Sequence, residues 1–420
     1  MPRLPVIILT HEFHPYPGGI AVYAREVALA LAAEGHEVSV WCPPGDGGGA
    51  VLARAAKNWP FRVFPISGNG GRQGWRDRCS TLRHWRARAD EVLASHLLVA
   101  EPGALRAACL AELLRLARPA RLSVMLHGSE ILYLSRFPHR RWLLERLLGR
   151  ADSVCVHSRF NATLLLERFR GVSGKLRVIP GALRSDFWGC LGPGGDLGRR
   201  AGAGAGSGEG VDANVSATCD TGGTAAGAPG PAVDEAVVCV VCVGRIHPRK
   251  GQHALLEAAA LLPGEIRRRA RFCFAGRVVD PAYQRRLDVL AARSGAHVEF
   301  CGEIPDEGLA RFYSDADVFV LPSQPTRGSV EGFGLVCLEA GAFGLPVVAH
   351  DTGGISDAVR DGETGLLVPH NDRQALADAL SRLISMPALR RRMGGAGRRH
   401  AASFTWRDYA RALIPPVAPA

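Results

Sequence analysis

Lysine is nearly missing from this chain: among 420 residues only Lys57, Lys175 and Lys250 carry an ammonium, and arginine supplies almost all of the formal net charge of +11. An excess of that sign suits anionic partners, whether nucleotide diphosphates, acidic lipid headgroups or nucleic acid. No nucleic-acid-binding motif with interleaved aromatics accompanies it, which sets nucleic acid aside. No apolar run reaches the roughly 18 residues that cross a bilayer, and the apolar stretch near Met1 is too short for a signal peptide. A cytoplasmic protein, soluble or peripheral at the inner membrane face, is expected. Cys239-x-x-Cys242 has no second Cys or His pair at zinc spacing to join it, and it lies inside the apolar run Val237–Val243, where strand residues three apart point to opposite faces, so a zinc or redox role is disfavoured. The eleven cysteines, mostly in apolar runs (Cys155, Cys239, Cys242, Cys273, Cys301, Cys337), read as small buried hydrophobes in a reducing compartment. Neither Gly-x-Gly-x-x-Gly after a strand nor a phosphate-binding Gly-x-x-x-x-Gly-Lys-Ser/Thr occurs, which disfavours a dinucleotide oxidoreductase and a P-loop nucleotidase.

The length is enough for two domains that each bury a core without disulfides or metals. Val6–Thr10 is a strand-like run, the loop Pro15–Gly19 follows, Ile20–Glu34 has helical periodicity, Gly35 stops it and Glu37–Trp41 resumes as a strand. Runs at His96–Ala100, Leu122–Leu126, Val154–His157 and Leu176–Ile179 alternate with helical patterns, which predicts parallel strands with crossover helices. Between about Gly189 and Val233 the composition turns to Gly, Ala, Ser and Thr, too poor in apolar side chains to offset chain entropy. The pattern then restarts at Val237–Val243. The expected organisation is therefore an α/β chain with a domain at 1–188, a Gly/Ala-rich insertion at 189–233, a second domain at 234–400 and a terminal helix within 401–420.

The most informative stretch is Ser329–Glu339. Gly332 and Gly334 let backbone approach a ligand, and the amides of Phe333, Gly334 and Leu335 open a helix whose positive dipole end favours a phosphate. Glu331 at that mouth must point past the phosphate toward hydroxyl groups, and Glu339 lies one to two turns into the helix. An anion beside two acids points to a nucleotide sugar. The loop Gly244–Gly251 carries Arg245 and Lys250 after a strand, and Gly19 sits at a strand-to-helix junction where bare backbone can meet a diphosphate. His127 ends another apolar run, at the strand end where ligands of such sheets collect.

Taken together, Glu331-x-Phe333-Gly334-x(4)-Glu339, Gly244-Arg245-x(4)-Lys250-Gly251 and His127-Gly128 after a strand resemble the retaining glycosyltransferases of family 4. The resemblance covers nearly the whole chain except the insertion. It implies the GT-B fold, in which two Rossmann-like doubly wound domains face a central cleft and the C-terminal helix within 401–420 crosses back to the first domain. By the same resemblance Arg245 and Lys250 hold the donor diphosphate, Ile304 contacts the nucleobase, Glu339 the ribose and Glu331 the sugar. His127 contacts the sugar from the other domain. No metal or other cofactor is expected: Asp315-x-Asp317 has the spacing of metal-dependent transferases but falls at a helix-to-strand junction. Pro322–Gly334 is similar to the same segment of bacterial mannosyltransferases that build cell-envelope glycans, so GDP-mannose is the expected donor and UDP-sugars the alternative. The acceptor would be a glycan or lipid hydroxyl. A non-catalytic sugar-nucleotide or glycan-binding protein of the same fold is the reading from another class. The arginine-rich stretches Trp75–Arg88 and Arg136–Arg150 read equally as solvated faces or as a peripheral surface for anionic membranes.

Overall fold

A computed structural model describes residues 4–16, 18–45, 49–66, 75–191, 237–326 and 328–415. From residue 192 onward the expected insertion lies outside them. Seven parallel strands form the first sheet: β1 (Val6–Leu9), β2 (Val38–Cys42), β3 (Arg62–Pro65), β4 (His96–Val99), β5 (Arg121–Leu126), β6 (Ser153–Val156) and β7 (Leu176–Val178). Their spatial order is β3-β2-β1-β4-β5-β6-β7. The second sheet holds β8 (Val238–Val243), β9 (Ala270–Ala275), β10 (His297–Gly302), β11 (Val318–Leu321), β12 (Val347–His350) and β13 (Gly365–Val368), ordered β10-β9-β8-β11-β12-β13. The two sheets thus repeat one doubly wound topology. Central strands such as Val-Ile-Ile-Leu in β1 are buried at every position, as sheets covered by helices on both faces require. The edge strand β3 alternates Arg62, Val63, Phe64 and Pro65 with none of them buried, which is why no apolar run announces it.

Strand order reverses direction between β1 and β4 and again between β8 and β11, and the crevices beyond those carboxyl ends are where such sheets take ligands. Helices flank each crevice. In the first half these are α1 (Gly19–Ala33), α2 (Pro102–Leu113), α3 (Pro138–Arg150) and α4 (Arg159–Arg168). The second half contributes α5 (Asp306–Ser314), α6 (Leu335–Ala342) and α7 (Pro387–Ala402), followed by the last helix, α8 (Trp406–Leu413). Glu101 caps α2 through the amides of Gly103 and Ala104, and Ser158 caps α4 by accepting from the Asn161 amide at 3.1 Å.

Chain segments cross between the halves. Leu183 and Phe187, after β7, bury themselves in the second domain's core, where the Phe187 ring lies 5.3 Å from Phe343. In the other direction α8 packs on α1, with Tyr409 against Tyr23 and Arg407 and Arg411 on Glu34 at 3.0 and 2.8 Å. Trp406 Nε1 donates to the Leu183 carbonyl at 2.9 Å. Each half therefore completes part of its packing with residues distant in sequence.

Candidate active site

The second domain supplies a dense cluster of charge. Beyond β8 the loop 244–251 turns back so that Lys250 Nζ lies 2.7 Å from Glu331 Oε2, with Arg249 Nη1 at 3.0 Å and Ser323 Oγ at 3.2 Å from the same oxygen. Burial alone would raise the Glu331 carboxyl, but the Lys250 and Arg249 charges outweigh it and hold the group at about 2. Glu331 is therefore an ionised acceptor at neutral pH. The Gln252 carboxamide pins the loop by donating to the Arg245 carbonyl at 3.0 Å. Gly251 is required where the loop meets β11: at φ +72° its Cβ would lie 1.7 Å from the Pro322 oxygen. Arg245 itself is exposed, with no side-chain hydrogen bond or ion pair to the described residues.

The Phe333 ring is core, 6.0 Å from Phe404, so this residue can meet a ligand only through its backbone. The amides of Phe333, Gly334 and Leu335 donate to nothing among the described residues, which leaves the mouth of α6 open to an anion. Glu339 accepts from Tyr313 Oη at 2.9 Å, and burial raises its carboxyl although Arg184 and that bond oppose the rise. Ile304 follows β10, the edge strand two places from β8, with Gly276 N donating to Gly302 O at 2.6 Å between them. On the opposite side, Gly18 (φ 144°) precedes Gly19 at the first turn of α1, and nothing lies within 4 Å of where a Gly19 Cβ would stand.

His127 sits at the end of β5 between two partners: Nε2 is 2.8 Å from the Ala100 carbonyl and Nδ1 is 3.1 Å from His157 Nε2. His157 Nδ1 in turn lies 3.2 Å from the Ile179 carbonyl. Burial, and then the His127 ring, lower His157 to about 3, so it is neutral at physiological pH. When both rings are neutral they offer two protons for three such contacts, so one contact goes without and a ring can leave its carbonyl at little cost. Asn161, fully buried, donates from Nδ2 both to the His127 carbonyl at 3.2 Å and to the Gly332 carbonyl at 3.0 Å. One amide thereby holds the loop of His127 against the loop of Glu331. Ser129 Oγ to Ser329 Oγ at 2.9 Å, Arg159 to Asp357 at 2.6 Å and Arg184 to Asp306 at 2.9 Å join the halves around the same cleft.

Several of these residues escaped sequence reasoning. Arg249 stands next to Lys250 and could have been read from the loop; Ser323, His157 and Asn161 carry no local signature. Glu12, just beyond β1, was legible as a strand-end acid. Burial raises it to about 7, Glu101 adds to the rise and Arg245 across the cleft opposes it. Asp315 is exposed beside Arg311, and Asp317 accepts from the Cys239 amide at 3.0 Å, so this pair is spent at the strand start rather than in the cleft.

Residues 17–186 match the family model described as Glycosyltransferase Family 4, and residues 231–400 match Glycosyl transferases group 1. Over 420 aligned residues, 96% of this chain and 95% of the relative, the chain is 31% identical to a GDP-mannose-dependent alpha-(1-6)-phosphatidylinositol monomannoside mannosyltransferase of Mycolicibacterium smegmatis. The chain belongs to glycosyltransferase family 4. This glycosyltransferase is also 42% identical to a D-inositol 3-phosphate glycosyltransferase of Nocardia farcinica over 180 residues, 42% of its own length and 39% of the relative's. Among solved structures it resembles sucrose-phosphate synthase from Thermosynechococcus elongatus (TM-score 0.67, 24% identity, 97% and 96% of the two chains). It also resembles Anabaena Alr3699/HepE in complex with UDP and glucose (TM-score 0.68, 18% identity, 97% and 98%). The fold of this glycosyltransferase is GT-B, and its cleft is the space between the two sets of strand ends.

Proposed function

We propose that this glycosyltransferase moves mannose from GDP-mannose, with retention of anomeric configuration and without a metal, to a hydroxyl of a lipid or glycan acceptor. The observation that carries the reading is the Lys250–Glu331 pair with Arg249 on the same carboxylate oxygen, at the mouth of a helix whose amides are open. Arg245, Lys250 and the amides at 333–335 stabilise the negative charge that grows on the departing diphosphate, while Glu331, kept ionised, accepts from sugar hydroxyls beside the oxocarbenium-like centre. Glu339 takes the ribose hydroxyls, Ile304 packs on the base, and Gly19 brings backbone to the diphosphate from the first domain. His127 exchanges the Ala100 carbonyl for a hydroxyl of the sugar. Asp315 and Asp317, committed elsewhere, leave charge stabilisation to these cations and dipoles.

The mannosyl donor and a phosphoinositide-type acceptor are supported by the name of the relative that aligns along nearly all of the chain. A cavity of about 200 Å³ lined by Arg106, Ser129 and Tyr133 opens beside the helix that follows His127, and suits a charged headgroup. Next to it Tyr133, Phe137 and Trp142 are exposed, and the Arg140 guanidinium lies 4.7 Å from both the Tyr133 and Phe137 ring centres. Aromatic rings and arginines in one strip fit the peripheral face of an anionic membrane. The other side of α3 is ordinary core, through Leu144, Leu147 and Leu148, and Arg146 and Arg150 are paired with Glu112. Among the described residues no helix is long and apolar enough to cross a membrane.

Thermal unfolding with GDP-mannose, UDP-glucose and UDP-N-acetylglucosamine tests the donor. A ligand at 100 times its dissociation constant stabilises by about 2.7 kcal/mol, so GDP-mannose should raise the melting temperature where the UDP-sugars do not. A shift with either UDP-sugar and none with GDP-mannose overturns the donor reading. Absence of transfer to any acceptor mixture despite a shift favours a binding protein.

A further inference from the structure

Cys239, Cys273 and Cys301 stand on the adjacent strands β8, β9 and β10, on one side of the sheet, together with Glu299. Cys239 and Cys242 do fall into cores on opposite faces, as a strand requires, so the pair in the sequence is not the pair in space. Cys239 Sγ meets Cys273 Sγ at 4.0 Å, and Cys273 Sγ lies 3.8 Å from Glu299 Oε2. The ligand atoms of Cys273, Glu299 and Cys301 all lie within 4.8 Å of one another, the one such group of three among the described residues. Tetrahedral zinc with Zn–S of about 2.3 Å has ligand-to-ligand edges of about 3.8 Å, which the atoms of Cys273, Glu299 and Cys301 approach; Cys239, 4.0 Å from Cys273 Sγ but outside that group of three, must turn toward them to supply a fourth ligand. Contrary to its expected burial, Cys301 is exposed, which gives an ion a way in.

We propose that Cys239, Cys273, Cys301 and Glu299 form a closed four-ligand site for a thiophilic divalent cation, Zn²⁺ or Cd²⁺, separate from the donor cleft. Three thiols bind as thiolates and release three protons to solvent per cation, and the carboxylate completes the tetrahedron. The surroundings suit that charge. Arg271 places Nη2 3.7 Å from Cys239 Sγ and Nη1 3.7 Å from Glu299, and His297 Nε2 lies 3.2 Å from Glu299 Oε1, orienting the carboxylate from outside. A cation here ties the edge strand β10 to its neighbours immediately before Gly302–Pro305, the loop that carries Ile304, so it steadies the rim of the cleft without entering it.

The reduced, full-length protein titrated with Co²⁺ should develop thiolate-to-metal charge transfer and the visible bands of tetrahedral cobalt at one equivalent, displaced by Zn²⁺. Proton release on Zn²⁺ addition should approach three per site. Cys301→Ser, exposed and tolerant of change, and Glu299→Gln should each weaken Zn²⁺ binding, the first by more than the roughly 10–100-fold that loss of an outer-shell partner costs. Cys79→Ser, an exposed thiol elsewhere, and Lys250→Ala, in the donor cleft, should leave it unchanged. Wild-type protein that shows no tetrahedral cobalt spectrum, or a spectrum that survives in both Cys301→Ser and Cys273→Ser, overturns the site.

Discussion

Gly332→Ala is the sharpest perturbation of the cleft. The carbonyl of His127 lies 2.0 Å from where a Cβ on Gly332 would stand, and ordinary contact begins at 3.4 Å, so the two loops must part by about 1.4 Å. Asn161 cannot then keep both its carbonyl partners, since its bonds to His127 and Gly332 already span 3.2 and 3.0 Å. The clash is between halves that each own a core, so the fold should survive while the register of His127 against Glu331 is lost. A misplacement of about 1 Å in a reacting site can cost on the order of 10²-fold in rate, equivalent to about 2.7 kcal/mol of barrier. The assay is steady-state mannosyl transfer with parallel calorimetry of GDP-mannose binding. We expect kcat to fall about 10²-fold while donor affinity stays within about threefold, because Lys250, Arg245 and the α6 amides belong to the second domain alone. A Gly332→Ala enzyme with wild-type kcat would refute the idea that this contact sets catalytic geometry. Asn161→Ala, which removes the bridge without forcing the loops apart, should lower kcat less.

Lys250→Ala removes one preorganised cation and should reduce kcat/KM on the order of 10²-fold or more; turnover near wild type contradicts the assignment. The same variant should shift the acid limb of stability. Glu331 is lowered in the folded state to about 2 from 4.5, so its contribution is whole above pH 4.5 and is lost as pH falls through 2, and without Lys250 that loss comes at higher pH in urea unfolding. His157 and His96 are lowered to about 3 and about 4, chiefly by burial, so the unfolded chain takes their protons first. Stability is then complete above pH 6.5 and erodes below it, by about 2 kcal/mol for each histidine at pH 5. His157→Gln should flatten the pH 7 to 5 drop by that amount, and an unchanged slope argues against a neutral buried ring. Replacing Phe137 and Trp142 by Ala should abolish sedimentation with phosphatidylglycerol vesicles while the GDP-mannose thermal shift persists; retention on vesicles places the membrane face elsewhere.

The alternation of apolar runs and helical patterns, the pair of repeated doubly wound domains, and the loops bearing Arg245, Lys250, Glu331 and Gly334 were all readable along the chain. These are local properties. A strand buried on both faces must be apolar throughout, and a helix mouth that takes phosphate must be opened by small residues, so each leaves its mark within a few positions. Which partners each charged group meets was decided by distance in space. Lys250 and Arg249 reach Glu331 across some eighty residues of sequence and fix its ionisation. His157 takes up one nitrogen of His127, and Asn161 ties two loops that no pattern connects; the return of α8 to the first domain was expected from the resemblance, but its packing on Tyr23 was not. Edge strand β3 left no apolar run because half of it faces water. Strand geometry already set Cys239 and Cys242 on opposite faces, but neighbours across strands are fixed by sheet hydrogen bonding, and only that put Cys239 beside Cys273.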